Sequence, residues 1–381
     1  MMEKVLNIIQ AHEQALIEFL RQIVNIDSCY DDPEGNLEVA QLIGGMLDKM
    51  GFTVEYLTTP GICTHVKAFK KGTGDKKVMV MGHLDCIQPK GSAAERPFTI
   101  KGGKAYGPGV LDMKGGIAIA LYALLALYSQ GWNDKDITVF FCGDEEHAHP
   151  YTNAAELFEE AAKGQHAVFN METASAGHSA LIGRKGNLYA EMQVTGIAAH
   201  AGADMEKGAN AIIELAYKAI AISKLTDFSR GLTCNVGAIE GGLIANAVPD
   251  YAKVKIDMRY LREEDRDKAV DCLNEIAARN YVLGTKTEIV NLTERFTTMF
   301  ATEDNKRLFA LVQEQAKKLG IEMTAKVGGG SSDAGWTVRA GAPTLCGMGA
   351  IGEFNHTTRE YIFVDSLVQR AKLLALSIDA L

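Results

Sequence analysis

The sequence predicts an α/β fold, a mainly parallel sheet flanked by helices, with an inserted ferredoxin-like α+β domain. Two patterns carry this reading. Before about residue 184 and again after about residue 300, short buried strands alternate with helices, as in a parallel sheet covered by helices. Between those limits the strands turn polar on alternate residues, as they do in a sheet with one wet face. A chain of 381 residues has room for two or three domains at roughly 150 residues each.

Each element follows from its own pattern. Val5, Ile8, Ile9, Leu16, Phe19, Leu20 and Ile23 recur near a 3.6 period, so residues 3–26 are expected to form an amphipathic helix against a core. A strand at 77–81, a long apolar helix at 115–128, a strand at 137–141, a helix at 154–162 and a strand at 166–170 follow in turn. The middle segment reads as strand 189–196, helix 210–224, strand 232–239, strand 251–261, helix 263–281 and strand 286–295, the split ferredoxin-like order. Within it, Val254, Ile256, Met258 and Tyr260 alternate with Lys253, Lys255, Asp257 and Arg259. The domains are therefore expected at 1–184, 185–297 and 298–381, the last rejoining the first and ending in a helix at 365–381.

Composition narrows the function. Lys and Arg total 39 against 48 Asp and Glu, a formal charge of −9, so the basic footprint of a nucleic-acid or anionic-lipid binder is absent. Seven cysteines include no C-x-x-C pair; an odd number cannot all pair within the chain, and reduced thiols in a cytoplasmic protein are expected. Glu3, Lys4, Glu13 and Glu18 interrupt the apolar residues of the N-terminus, unlike a signal peptide. The apolar run 115–128 falls short of the roughly 20 residues that span a membrane. No phosphate loop, nucleophile elbow or H-E-x-x-H helix occurs.

In open sheets of this kind ligands bind beyond the carboxyl ends of the strands. There the sequence places Gly82-His83-Leu84-Asp85, Gly143-Asp144-Glu145-Glu146 and Met171-Glu172, while Gly107-Pro108-Gly109-Val110-Leu111-Asp112 opens the long apolar helix. Carboxylates gathered in one low-dielectric region repel one another and raise each other's pKa. A divalent cation removes that conflict. Carboxylates with imidazole and no thiolate cluster suit zinc, cobalt or manganese better than calcium or magnesium. The run 328–333, Gly-Gly-Gly-Ser-Ser-Asp, is either a phosphate cradle or a tight turn before a helix.

These motifs, with Thr195 to Gly202, Gly208-Ala209-Asn210-Ala211, Asn246-Ala247-Val248-Pro249 and Asn355-His356, resemble the dinuclear zinc exopeptidases and deacylases. That family includes bacterial glutamate carboxypeptidase, peptidase T, succinyl-diaminopimelate desuccinylase and aminoacylase. The glutamate carboxypeptidase branch is the most similar, through Ala105 to Gly109 and Glu172-Thr173-Ala174-Ser175-Ala176-Gly177. The resemblance implies two zinc ions, with cobalt or manganese as substitutes: one on His83 and Glu172, the other on Glu146 and His356, and Asp112 bridging both. It implies Glu145 as general base to a water shared by the ions, and Asp85 as the partner of the second His83 ring nitrogen. A cis Asp112–Met113 peptide bond is expected. The inserted domain is expected to act as lid and homodimerisation surface, with His200 stabilising the oxyanion in a partner subunit's site. Arg259, Asn246 and the backbone amides around Gly329 and Gly330 are expected to hold the substrate carboxylate.

Some positions depart from the family pattern. His147 and His149 stand where relatives carry small residues and glycine; they are expected at the surface, with a role as spare donors near the substrate as the alternative. Cys86 is expected to fill space beside His83, and Arg184 and Lys185 to shape specificity. The expected activity is hydrolysis of the amide bond before a C-terminal or free amino acid in a small peptide or N-acyl amino acid. An N-acyl-amino-acid deacylase or a di- or tripeptidase is the alternative within the family, and a non-catalytic binding module the alternative outside it.

Overall fold

In the computed structural model, which describes residues 1–174 and 177–381, six strands form the main sheet. Ser175 and Ala176, quoted above for the resemblance, lie outside the described residues. The strand order is Thr53–Thr59, Cys63–Lys70, Asp136–Cys142, Lys77–His83, Ala167–Asn170, Thr344–Leu345. The last four run parallel, and the first two form an antiparallel hairpin at one edge. Alternation along Lys77–His83 shows how the sheet is buried. Val78 and Val80 join the core beneath the helices Glu13–Val24, Gly115–Ser129 and Val364–Asp379, whereas Met79 and Met81 join a second core beneath Ala154–Ala162. A strand buried on both faces reads as a continuous apolar run, and this one does.

Two compact units emerge. One comprises Met1–Gly183, Ala301–Gly328 and Trp336–Leu381; the other comprises Arg184–Phe300 with Gly329–Gly335. The second contains an antiparallel sheet in the order Thr233–Gly241, Tyr251–Tyr260, Gly186–Thr195, Lys286–Phe296, with the helices Ala211–Ser223 and Glu263–Ala278. Ala252, Val254, Ile256, Met258 and Tyr260 are buried while the residues between them are only half-buried, so the expected two-faced strand is present.

The differences from expectation have local causes. The N-terminal helix is two, Met2–Ala11 and Glu13–Val24, broken at His12, whose Nδ1 lies 2.9 Å from the Ile8 carbonyl oxygen. The helix from Glu263 stops at Ala278 because the buried Lys218 ammonium donates to the Ile276 and Ala277 carbonyl oxygens, satisfying groups that the helix end leaves open. The core helix Gly115–Ser129 is 15 residues long, close to expectation; only when the kinked turn Val110–Lys114 before it is counted does the apolar stretch reach 20 residues, enough by length to cross a membrane, and 94% of its apolar window is buried inside the fold.

Candidate metal centre

Register brings the strand ends together. His83 pairs with Cys142 and Met81 with Asn170 in the parallel sheet, so Asp85, Glu145, Glu146 and Glu172 all leave the same edge. Two further ties continue the alignment, from the Leu84 N–H to the Cys142 carbonyl and from the Met171 N–H to the Met81 carbonyl. Behind this edge the helix Gly115–Ser129 comes so close that a Cβ on Gly116 would lie 1.9 Å from the Met171 carbonyl oxygen. Only glycine allows this approach. It sets the Asp112 turn beside Glu172.

A small second sheet supplies the remaining donors. Gly352–Glu353, Tyr361–Phe363, Lys104–Tyr106 and Thr99–Lys101 pair in that order. The strand Lys104–Tyr106 leads into the turn that carries Asp112, and the hairpin between Glu353 and Tyr361 carries His356. Glu360, at the base of that hairpin, accepts the backbone N–H groups of Gly109, Leu111 and Asp112 at 3.0, 2.8 and 2.9 Å. One buried carboxylate thus fixes the Asp112 turn to the His356 hairpin. Burial pushes the Glu360 pKa up to about 7, against the lowering effect of the three N–H donors. His356 itself has φ +61, a left-handed backbone that is uncommon outside glycine. The Asp112–Met113 peptide bond is cis.

The side chains then form two groups sharing one member. Asp112 Oδ1 lies 3.2 Å from His83 Nε2, which is 3.6 Å from Glu172 Oε1. Asp112 Oδ2 lies 3.1 Å from His356 Nε2, which is 3.3 Å from Glu146 Oε2. In each trio the ligand atoms lie within 4.8 Å of one another. The two oxygens of a single carboxylate therefore face two separate donor sets. Asn355 adds a donor 3.1 Å from Asp112 Oδ2.

Asp85 stands behind the first group. Its backbone and side-chain oxygens lie 3.2 and 3.3 Å from His83 Nδ1, and its carboxylate accepts the Glu145 and Glu146 N–H groups at 3.2 and 3.0 Å. It fixes both the His83 ring and the turn bearing the Glu pair. Glu145 is buried beside them and acts electrostatically on His83 and Glu146.

Electrostatics register the crowding. Burial, the Asp112 charge and other nearby carboxylates push the Glu146 pKa well above its ordinary value, and its Oε1 is buried with no hydrogen-bond partner. Burial opposes protonation of His83, but its bonds to Asp112 and Asp85 outweigh that and raise its pKa. Asp112 is held low despite burial, because His356 and His83 both bond to it. An orphaned buried carboxylate oxygen within a set of acidic and imidazole donors is what a pair of divalent cations would satisfy. The residues present fit such a pair. A further trio, Cys63, His65 and Asp144, also comes within 4.8 Å, but Asp144 already accepts from His149 and Thr152 at 2.8 and 2.7 Å, and His65 Nδ1 accepts the Gly143 N–H.

The other expected site residues lie in the second unit. His200 and Asn246 are neighbours there: His200 pairs with Ala247 across a short bridge, and the Asn246 carbonyl accepts the Ala201 N–H. His200 Nδ1 accepts the Gly202 and Ala203 N–H groups at 3.1 and 3.2 Å, which puts the ring proton on Nε2. Arg259 lies near the other end of the strand Tyr251–Tyr260, roughly 26 Å away at 3.3 Å per residue. Its fork is held by Asp257 at 2.8 and 3.0 Å, and its Nη1 donates to Ser331 Oγ at 3.0 Å. Gly329 and Gly330 are exposed beside that serine, and the Arg184 Nη1 donates to the Ser331 carbonyl. Arg259 and the two glycines are thus brought together, whereas His200 and Asn246 stand apart from them.

One expectation is corrected. His147 is exposed, but His149 is buried, because its Nδ1 meets the buried Asp144 carboxylate and its backbone turns left-handed at φ +54. Cys86 is buried, its sulfur beside Gly109. Sequence reasoning gave no role to Glu360 or to the Asp144–His149 bond; the one visible signal was a lone acid four residues after His356, directly before an apolar strand.

Residues 79–380 match the family model described as peptidase family M20/M25/M40. Carboxypeptidase G2 from Pseudomonas sp. (strain RS-16) is 32% identical over 372 residues, covering 95% of this chain and 88% of that protein. Succinyl-diaminopimelate desuccinylase from Acidiphilium cryptum is 25% identical, covering 87% and 90%. Among solved structures, the aminopeptidase PepT from Bacillus cereus ATCC 10987 superposes with a TM-score of 0.83 at 22% identity, covering 97% of this chain and 98% of that one, a likeness of fold.

Proposed function

The chain belongs to peptidase family M20/M25/M40, a family of metal-dependent hydrolases, and on that premise we propose that it is a dinuclear zinc exopeptidase of glutamate carboxypeptidase type. It cleaves the amide bond before a C-terminal or free amino acid. The observation that supports this reading most is the division of Asp112 between two donor sets, His83 with Glu172 and Glu146 with His356. Two bound cations would supply Lewis acidity at the scissile carbonyl and a water of lowered pKa.

The chain's own residues do the rest. Glu145, held by its N–H on Asp85, takes the proton from the attacking water and returns it to the leaving amine. Asp85 keeps His83 in the tautomer that presents Nε2. His200, with its proton on the outward Nε2, is the donor for the oxyanion. Arg259, Asn246 and the amides of Gly329 and Gly330 hold the substrate carboxylate. A deacylase or di- or tripeptidase of the same family would use the same centre, and the relatives' names include a desuccinylase and an aminopeptidase.

The protein acts as a homodimer through the second unit, which serves as the lid. Ile213, Tyr217 and Ile220 expose a continuous stripe on the helix Ala211–Ser223, at 46, 51 and 56%. The neighbouring edge strand Thr233–Gly241 is also largely exposed. An apolar stripe beside an open strand edge is the kind of surface a second copy covers. The separation of His200 and Asn246 from Arg259 along one strand fits two sites each built from both copies. Seven free cysteines suit a reducing, cytoplasmic setting.

The test is Glu145→Gln in metal-loaded protein, assayed on dipeptides and N-acyl amino acids. Turnover should fall by at least about a hundredfold with metal content unchanged. Retained turnover at full metal content would count against the assignment, and no turnover of any compound by the metal-loaded wild type would favour a binding module.

A further inference from the structure

The two oxygens of Asp112 have unequal surroundings. Oδ1 meets His83 Nε2 at 3.2 Å, whereas Oδ2 meets both His356 Nε2 and Asn355 Nδ2, each at 3.1 Å. The first donor set is sunk in the fold and braced from behind: the His83 side chain is 1% exposed, and oxygens of Asp85 stand 3.2 and 3.3 Å from its Nδ1. The second set lies at the surface, with the His356 side chain 54% exposed. Among the described residues no oxygen holds His356 Nδ1 as Asp85 holds that of His83, and Glu146 Oε1 is without a hydrogen-bond partner. Asn355 is therefore, among the described residues, the one side chain outside the second set that bonds one of its ligand atoms.

The backbone explains how two neighbours in sequence reach one oxygen. In an extended chain successive side chains point to opposite sides. In the hairpin between Glu353 and Tyr361 the chain instead turns left-handed at Phe354, φ +66, and again at His356, φ +61, on either side of Asn355. Two left-handed positions filled by residues other than glycine are costly to hold, and here they bring the Asn355 amide and the His356 ring onto Asp112 Oδ2 together. An amide nitrogen has protons but no lone pair for a cation, so Asn355 Nδ2 does not compete as a ligand. A carboxylate oxygen has two lone-pair sites: the amide takes one and fixes the carboxylate plane, and the other is left for an ion.

We propose that Asn355 is a positioning residue for the ion on Glu146 and His356: by fixing Asp112 Oδ2 it secures that ion and not the one on His83 and Glu172. This rests on the dinuclear reading of the centre. The buried His83 set has Asp85 to hold it in place, and the exposed His356 set has the Asn355 amide.

The full chain, stripped with a chelator and titrated with cobalt(II) in a calorimeter, reads the two ions separately. The wild type should take two equivalents. In Asn355→Ala, and in Asn355→Leu, which keeps the side-chain size but has no N–H, one equivalent should keep its affinity and the other should weaken about 10- to 100-fold. Thr357→Ala is the control for a merely loosened hairpin: it removes the bonds from Thr357 Oγ1 to the Phe354 carbonyl and from the Arg359 N–H to Thr357 Oγ1, at 2.7 and 3.2 Å, without touching Asp112, and both affinities should stay close to wild type. Anomalous maps from Asn355→Ala crystals at limiting zinc should show the ion on His83 and Glu172 retained and the ion on Glu146 and His356 depleted. Unchanged affinities in both Asn355 variants, equal weakening of both equivalents, depletion at His83, or a Thr357→Ala loss as large as that of Asn355→Leu overturns the role of Asn355 and leaves the dinuclear reading standing. A wild type that takes a single equivalent overturns the dinuclear reading and this role with it.

Discussion

At the scale of single residues, Asp85 shows how one buried carboxylate can serve three ends. It faces the His83 nitrogen opposite Asp112 and anchors the Glu145 and Glu146 amides. Removing it frees the ring to rotate and releases the turn. Asp85→Ala should weaken metal binding about 10- to 100-fold, read by competition with a chromogenic chelator; unchanged affinity would show that His83 is oriented by something else. His356, in the hairpin between Glu353 and Tyr361, was expected only through the resemblance to a known family, whereas His83, Asp85, Asp112, Glu145, Glu146 and Glu172 were legible in the sequence because each ends or follows a recognisable apolar strand or opens an apolar helix. His149 was not, since its burial depends on a left-handed turn and on a partner, Asp144, whose own environment only the folded loop defines.

At the scale of elements, what places the centre is register plus one cross-tie. Parallel pairing aligns three strand ends, and Glu360 joins the Asp112 turn to the His356 hairpin through three N–H bonds. Burial leaves Glu360 with a folded pKa of about 7, above the roughly 4.3 of an unfolded glutamate. The folded chain then binds the proton more tightly than the unfolded chain, so this contribution to stability is full below about pH 4 and is lost as pH rises to about 7. In metal-free protein, Glu360→Gln should remove that slope from the pH dependence of the urea midpoint. A slope equal to that of the wild type would place the titration elsewhere. The strand-and-helix alternation that predicted the parallel strands was plain in the sequence. The strand Thr53–Thr59 was not anticipated, because an edge strand exposed along most of its length carries little apolar signal; the mostly buried strand Cys63–Lys70 and the helix Pro33–Lys49, with Val39, Ile43 and Leu47 on its buried face, were also missed although their apolar residues were there to be read.

At the scale of the whole molecule, the proposed dimer would link assembly to chemistry. His200 and Asn246 lie near one end of the strand Tyr251–Tyr260 and Arg259 near the other, so one copy presents these groups at two separate places. Tyr217→Glu, in the exposed stripe of the helix Ala211–Ser223, should convert the proposed dimer to monomer in light scattering and lower turnover more than metal content. A monomeric wild type would overturn the proposed dimer, and a variant that remains dimeric would place the interface elsewhere. Asp112 facing two donor sets is the feature on which the proposed chemistry depends. Anomalous diffraction at the zinc edge, from crystals of the metal-loaded protein, tests that most directly. Two ions should appear, one with His83 and Glu172, the other with Glu146 and His356, each touching one oxygen of Asp112. A single ion, or two that do not share Asp112, would contradict the account.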